Sequence, residues 1–238
     1  MSRGILYLAL GEEFDKLTAA TAHYSRRFTD LPMCVITNLD QRDPVWLGVK
    51  DVRFSRVTDP SNENRRIKVS LIDYTPFSET LFMDSDAVIQ NEGIEVLFGY
   101  LEDYDIACQY FATITSSDDK NFETAFIEKT YDKLAKLLRE SYPIEMFGEA
   151  ALLFRRTGPA RDFFRLWQEY WELMGCGRDM PAFSFAVKHS PDKVKVFKGD
   201  VPFCTNAENE DFFIQHKGFS GFEKKFGLPE YQDWNPKL

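Results

Sequence analysis

The chain has 238 residues, 44% of them hydrophobic and 28% charged, an ordinary balance for a globular protein. That length suffices for one α/β domain with a full core, and no linker or repeat divides it, so a single domain over 1–238 is expected. A net charge of −9 excludes a nucleic-acid surface, and no apolar run is long enough to span a bilayer.

Gly4 to Leu10 is nearly all apolar, as a central parallel strand covered on both faces would be. It is too short for the apolar region of a signal peptide. Gly11 breaks it. Phe14, Leu17, Thr21, Tyr24 and Phe28 then recur at spacings of three and four, which predicts an amphipathic helix. Met33 to Thr37 reads as a second buried strand, completing a strand–helix–strand unit and implying parallel pairing. Val52 to Val57 alternates as a third strand. Arg65, Arg66 and Lys68 mark a short basic helix, and Pro76 a turn.

Leu81-Phe82-Met83-Asp84-Ser85-Asp86-Ala87-Val88-Ile89 is the centre of the chain's chemistry. An apolar tripeptide running into Asp-Ser-Asp reads as a buried strand that ends at a sheet edge. Carboxylates at i and i+2 of an extended segment point to the same side and repel unless a cation lies between them. A divalent ion with hard oxygen ligands answers that need. Taken alone, the triplet is equally an Asp-Ser-Asp turn.

Further along, Ile106–Tyr110 reads as a strand and Asn121–Glu140 as a surface helix. Met146–Arg155 reads as a loop entering a strand. Arg161–Met174 carries an aromatic stripe at helical spacing, which is core material. Asp179 precedes another apolar helix and has the character of a cap. Val194–Phe197 reads as a late edge strand, and Phe212–Gln215 as an apolar run ending in His216. The cysteines at 34, 108, 176 and 204 form no CxxC pair. Reduced, buried thiols and a cytoplasmic location are therefore expected.

The order of basic helix, Pro turn and "TPFSETLFMDSDAVI" resembles the DxD region of GT-A fold glycosyltransferases, and of glycosyltransferase family 8 in particular. That resemblance implies a Rossmann-like, mixed but mostly parallel central sheet flanked by helices. It implies a hexosyltransferase drawing on a nucleotide-sugar donor, a UDP-sugar, and retaining anomeric configuration. The acceptor, a saccharide, lipid or protein, is not specified. Asp84, Asp86 and His216 would hold Mn2+ or Mg2+, the histidine by likeness to the family's "HxxGxxK" setting. Ala9, Leu10 and Gly11 would contact the base and ribose. Lys68, Ser85, Asp179 and Gly218 would contact the rest of the donor, with Lys217 or Lys224 near the departing diphosphate. "MFGEAALLFR" is similar to the segment that lines the sugar and acceptor side, which places Gly148 and Glu149 there, Glu149 standing where the family has an amide. "RDMPAF" is similar to "DQPAL", with Met180 in place of a polar residue. No covalent nucleophile is evident.

A second resemblance stays open. The "hhhDxDxVh" pattern also fits the nucleophile loop of haloacid dehalogenase-type phosphatases, with Asp84 attacking phosphate and Asp86 as acid. Lys198-Gly199-Asp200 is faintly similar to that family's later segment. A nucleotide-sugar binding protein without turnover is the third reading.

Overall fold

A computed structural model describes residues 2–40, 43–51, 60–116, 142–205 and 209–216. A seven-stranded sheet runs through the molecule in the order β3-β2-β1-β4-β7-β6-β8. These strands are β1 (Arg3–Ala9), β2 (Met33–Thr37), β3 (Gly48–Asp51), β4 (Glu79–Met83), β6 (Ile106–Ile114), β7 (Ile144–Arg155) and β8 (Val194–Phe197). All pairings are parallel except those of β7, which runs antiparallel to both β4 and β6. A small second sheet, β5-β10-β9, joins β5 (Ala87–Ile89), β10 (Ile214–His216) and β9 (Cys204–Thr205).

The apolar run of β1 sits between β2 and β4, and its alternation sorts two cores. Ile5, Tyr7 and Ala9 face one layer with α1 (Glu12–Ser25) and the 3-10 helix Ile94–Glu102. Leu6 and Leu8 face the other, with Ile67 of α2 (Pro60–Lys68), α3 (Leu71–Tyr74), α4 (Gly158–Leu173) and α5 (Asp179–Lys188). The aromatic stripe of α4 is indeed core. Trp167 is fully buried, its ring 4.8 Å from that of Phe183 on α5, and its indole N–H donates to the Asp179 carbonyl. That contact sets where α5 begins.

One expectation changes and two fall on residues outside those described. The third strand is Gly48–Asp51, its Val49 paired with Val35 of β2, whereas 52–57 lie outside the described residues. The expected helix over 121–140 also lies outside them. Met146–Arg155 is not a loop entering a strand but the greater part of one 12-residue strand. Register shifts at Cys108/Gln109 and Tyr110/Ala112 absorb the irregularity, so Gly148 still pairs with Gln109. All four cysteines are unpaired.

Candidate functional site

The site lies at the carboxyl ends of β1 and β4, where open α/β sheets take their ligands. Asp84 leaves β4 with its N–H on the Ala150 carbonyl of β7. Its own carbonyl accepts from Ala87, which closes the Asp84-Ser85-Asp86 turn and starts β5. The Ser85 hydroxyl donates to the Leu8 carbonyl at 2.9 Å and ties the turn to β1. β10 pairs antiparallel with β5 so that His216 stands opposite Ala87. This register carries His216 next to Asp86, about 130 residues earlier, with Nε2 3.1 Å from Asp86 Oδ1. One ligand atom from each of Asp84, Asp86 and His216 lies within 4.8 Å of the others.

Behind these three is a buried charge cluster. Lys68, the last residue of α2, is 6% exposed. Its ammonium is 2.9 Å from the Asp84 carboxylate, 3.3 Å from Asp179 and 3.7 Å from Glu149. Burial alone would lower its pKa, but the charges of Asp179, Asp84 and Glu149 outweigh that and hold it above the usual lysine value. Burial pushes Asp84 up to about 6 against the pull of Lys68, with Asp86 adding to the rise. Burial likewise pushes Glu149 up to about 7, Lys68 opposing and Asp179 and Asp84 assisting. For His216, burial lowers the value, but its hydrogen bond to Asp86 and the charges of Asp86 and Asp84 raise it above the ordinary imidazole range.

The two clusters open into a cavity of about 630 Å3, within the range of small-molecule sites. Arg65 and Arg178 stand on its wall, Arg65 Nε 4.0 Å from Asp179. Asp179 opens α5, and no side-chain cap hydrogen bond is seen there. Its carboxylate instead turns to Lys68, while its charge still complements the positive end of the helix.

The segment after β1 is more occupied than expected. Ala9 and Leu10 are fully buried, the Leu10 N–H is taken by Asn64 Oδ1 and the Gly11 N–H by Asn38 Oδ1. Gly11 has φ 88°, a region that favours glycine, and turns the chain sharply into α1. Leu8, Glu13 and Phe14 make the cavity wall there. Sequence reasoning passed over Asn38, Asn64 and Arg178; an arginine directly before Asp179 was the one signal available for them. Gly148 and Glu149 border a second, smaller cavity, and Glu149 lines both. Gly218, Lys217 and Lys224 lie outside the described residues. His23 pairs with Asp43 and His189 packs on Tyr170, both away from the site.

No protein-family model matches the chain, and no curated protein is similar to it in sequence. Solved structures do share its fold. The galactosyltransferase LgtC, in complex with donor and acceptor sugar analogues, has a TM-score of 0.54 at 10% identity, over 96% of this chain and 92% of its own. Mouse xyloside xylosyltransferase 1 has a TM-score of 0.57 at 10% identity, over 92% and 99%. The bifunctional glycosyltransferase WbbM has 0.53 at 13% identity, over 91% of this chain and 46% of its own. The chain has the GT-A type of α/β fold that these structures share. The likeness lends no support to the phosphatase reading, whose nucleophile loop follows the first strand; here Asp84 follows the fourth in chain order.

Proposed function

We propose that the chain, as one domain, is a metal-dependent glycosyltransferase. It would pass a hexosyl group from a nucleoside-diphosphate sugar, a UDP-sugar by its resemblance to family 8, to a hydroxyl acceptor with retention. The observation that carries this reading is the convergence of Asp84 and Asp86 with His216 at the mouth of a cavity large enough for a nucleotide sugar. Two carboxylates and an imidazole make a mixed oxygen and nitrogen set that suits Mn2+, and Mg2+ as the harder alternative. When bound, such an ion neutralises diphosphate charge and acts as a Lewis acid toward the leaving group.

The chain's own residues do the rest. Lys68 lines the cavity with its ammonium held among carboxylates, so it orients Asp84 and Asp179 beside the donor. Arg65 and Arg178 offer guanidinium groups to the anionic diphosphate in an otherwise acidic protein. Asp179 faces the cavity as an acceptor for sugar hydroxyls. Ser85 keeps the metal-binding turn docked on β1. Ala9, Leu10 and Gly11 flank the base and ribose, and Gly218 the diphosphate. The four unpaired cysteines support a cytoplasmic setting. Among the described residues no helix is long and apolar enough to cross a membrane.

The test is a thermal-shift panel of nucleotides and nucleotide sugars with and without Mn2+, because a ligand that binds only the native state raises the melting temperature by mass action. UDP with Mn2+ should raise it strongly, and UDP with a chelator should not. A UDP-sugar with Mn2+ should then release UDP slowly to water, while a generic phosphomonoester releases no phosphate. No Mn2+-dependent shift with any nucleotide would overturn the reading.

A further inference from the structure

Three side-chain contacts join α2, the end of β1 and the aspartate turn into a closed ring. Asn64 and Lys68 stand four residues apart on α2 and so share a helix face. Asn64 grips the end of β1. Its Oδ1 accepts from the Leu10 N–H at 3.1 Å, and its Nδ2 donates to the Leu10 carbonyl at 3.5 Å. Two residues back, the Leu8 carbonyl accepts from the Ser85 hydroxyl at 2.9 Å. Beside Ser85, Asp84 accepts from the Lys68 ammonium at 2.9 Å, which returns the path to α2. Leu8, Asn64, Lys68, Asp84 and Ser85 all line the cavity of about 630 Å3, and Arg65 stands on the same turn of α2. The ring is thus one wall of that cavity. Asn38 offers a contrast: its Oδ1 accepts from the Gly11 N–H at 2.9 Å from the end of β2, outside the ring.

We propose that Asn64 is a positioning residue for donor binding: by closing this ring it holds the end of β1 and Arg65 in fixed relation to Asp84. This rests on the glycosyltransferase reading above. The oxygen and the nitrogen of the Asn64 amide both engage Leu10, so the side chain acts by placing its neighbours. The end of β1 flanks the nucleoside, Arg65 faces the diphosphate and Asp84 faces the metal. One ring therefore sets all three parts of the site before the ligand arrives. Such preorganisation raises affinity by removing the cost of ordering the site on binding. Each hydrogen bond of the ring is modest alone, but opening any one of them frees the others to shift, so they act as a unit. Asn64 and Ser85 share no bonding partner, and only the ring couples them.

The experiment is calorimetric titration of UDP into the full chain at saturating Mn2+, well below the melting temperature. It compares the parent, Asn64→Ala, Ser85→Ala, Asn38→Ala, and the double variants that pair Ser85→Ala with each asparagine change. Each single change should weaken UDP binding by roughly three- to tenfold, the worth of one hydrogen bond. Asn64→Ala with Ser85→Ala should weaken it little beyond the larger single loss, because the ring is already open. Asn38→Ala with Ser85→Ala should weaken it by the product of the two single losses, as independent sites do. Urea unfolding of each variant runs alongside. Should Asn64→Ala not fold, Asn64→Gln, which keeps an amide but moves it by one methylene, takes its place in the cycle. The same behaviour in both pairs would overturn the proposal. So would parent-like UDP affinity in folded Asn64→Ala with only its urea stability lowered, the mark of a purely structural role. Absence of Mn2+-dependent UDP binding in the parent would instead overturn the reading on which the proposal rests.

Discussion

Asp84 belongs to two clusters of opposite character. On its inner side it shares the Lys68 ammonium with Asp179 and Glu149, a set in which the cation is built in and nearly sealed from solvent. On its outer side it joins Asp86 and His216, three groups that are only half-buried and hold no side-chain cation of comparable strength between them. The same carboxylate is thus fixed from behind by lysine and left with lone pairs in front. The difference separates structure from the proposed chemistry: the inner cluster holds geometry, and the outer cluster carries the donor set the proposed ion would use. Lys68 lines the cavity while its ammonium is shared among three carboxylates.

The largest expected effect breaks the inner cluster. Lys68→Met leaves three carboxylates buried without their counter-ion, and removing one partner of a buried ion pair costs about 3–5 kcal/mol. Urea unfolding should show a loss of that size, a large part of a typical domain's stability. A loss below about 1 kcal/mol, the level of an exposed pair, would mean that the cluster is hydrated and the division between the two sides is wrong.

Breaking the outer cluster should do the reverse. Asp86→Asn should change the melting temperature of the metal-free protein far less than Lys68→Met, since loss of its pairing with His216 is offset by relief of its repulsion of Asp84, and should remove the Mn2+-dependent shift with UDP. A full shift in that variant would sink the metal assignment.

A smaller effect follows from protons. Asp84 and Glu149 are raised in the folded chain by burial, and His216 is raised because Asp86 and Asp84 outweigh its burial. All three therefore bind protons more tightly folded than unfolded. Such a group contributes stability below its unfolded value and loses it as pH rises through the folded value. The metal-free protein should thus become less stable between about pH 5 and pH 8. Metal needs deprotonated carboxylates and neutral imidazole, so stabilisation by Mn2+ should grow over the same interval. Melting temperatures against pH, with chelator and with Mn2+, check both slopes. A metal-free protein that gains stability over this interval would contradict the charge assignments.

The sequence made one side of this comparison far easier to read than the other. Asp84 and Asp86 were legible because strand alternation and an apolar run fix their direction without knowledge of distant residues. His216 was reachable through its order along the chain, and the β5–β10 register supplies the contact. The inner cluster was not legible, because burial of Lys68 depends on α2 docking beside β1 through Asn64, a long-range contact with no local signature. Asp179 read equally well as a helix cap; no side-chain cap hydrogen bond is made there, and its carboxylate lies beside Lys68 through the long-range position of α5. Met146–Arg155 was misread as partly loop because glycine and glutamate interrupt its apolar pattern, whereas the irregularity in its pairing with β6 lets the strand continue through them.

The claim on which both clusters depend is that the fold joins His216 to the two aspartates around one ion. Electron paramagnetic resonance titration of Mn2+ in the presence of UDP tests it, for the parent, His216→Ala and His189→Ala. Loss of one ligand should weaken Mn2+ binding by at least roughly tenfold in His216→Ala, with the fold retained on the two aspartates. His189→Ala should match the parent, since His189 packs on Tyr170 away from the site. Equal Mn2+ affinities in the parent and His216→Ala would remove the histidine from the centre and contradict the account.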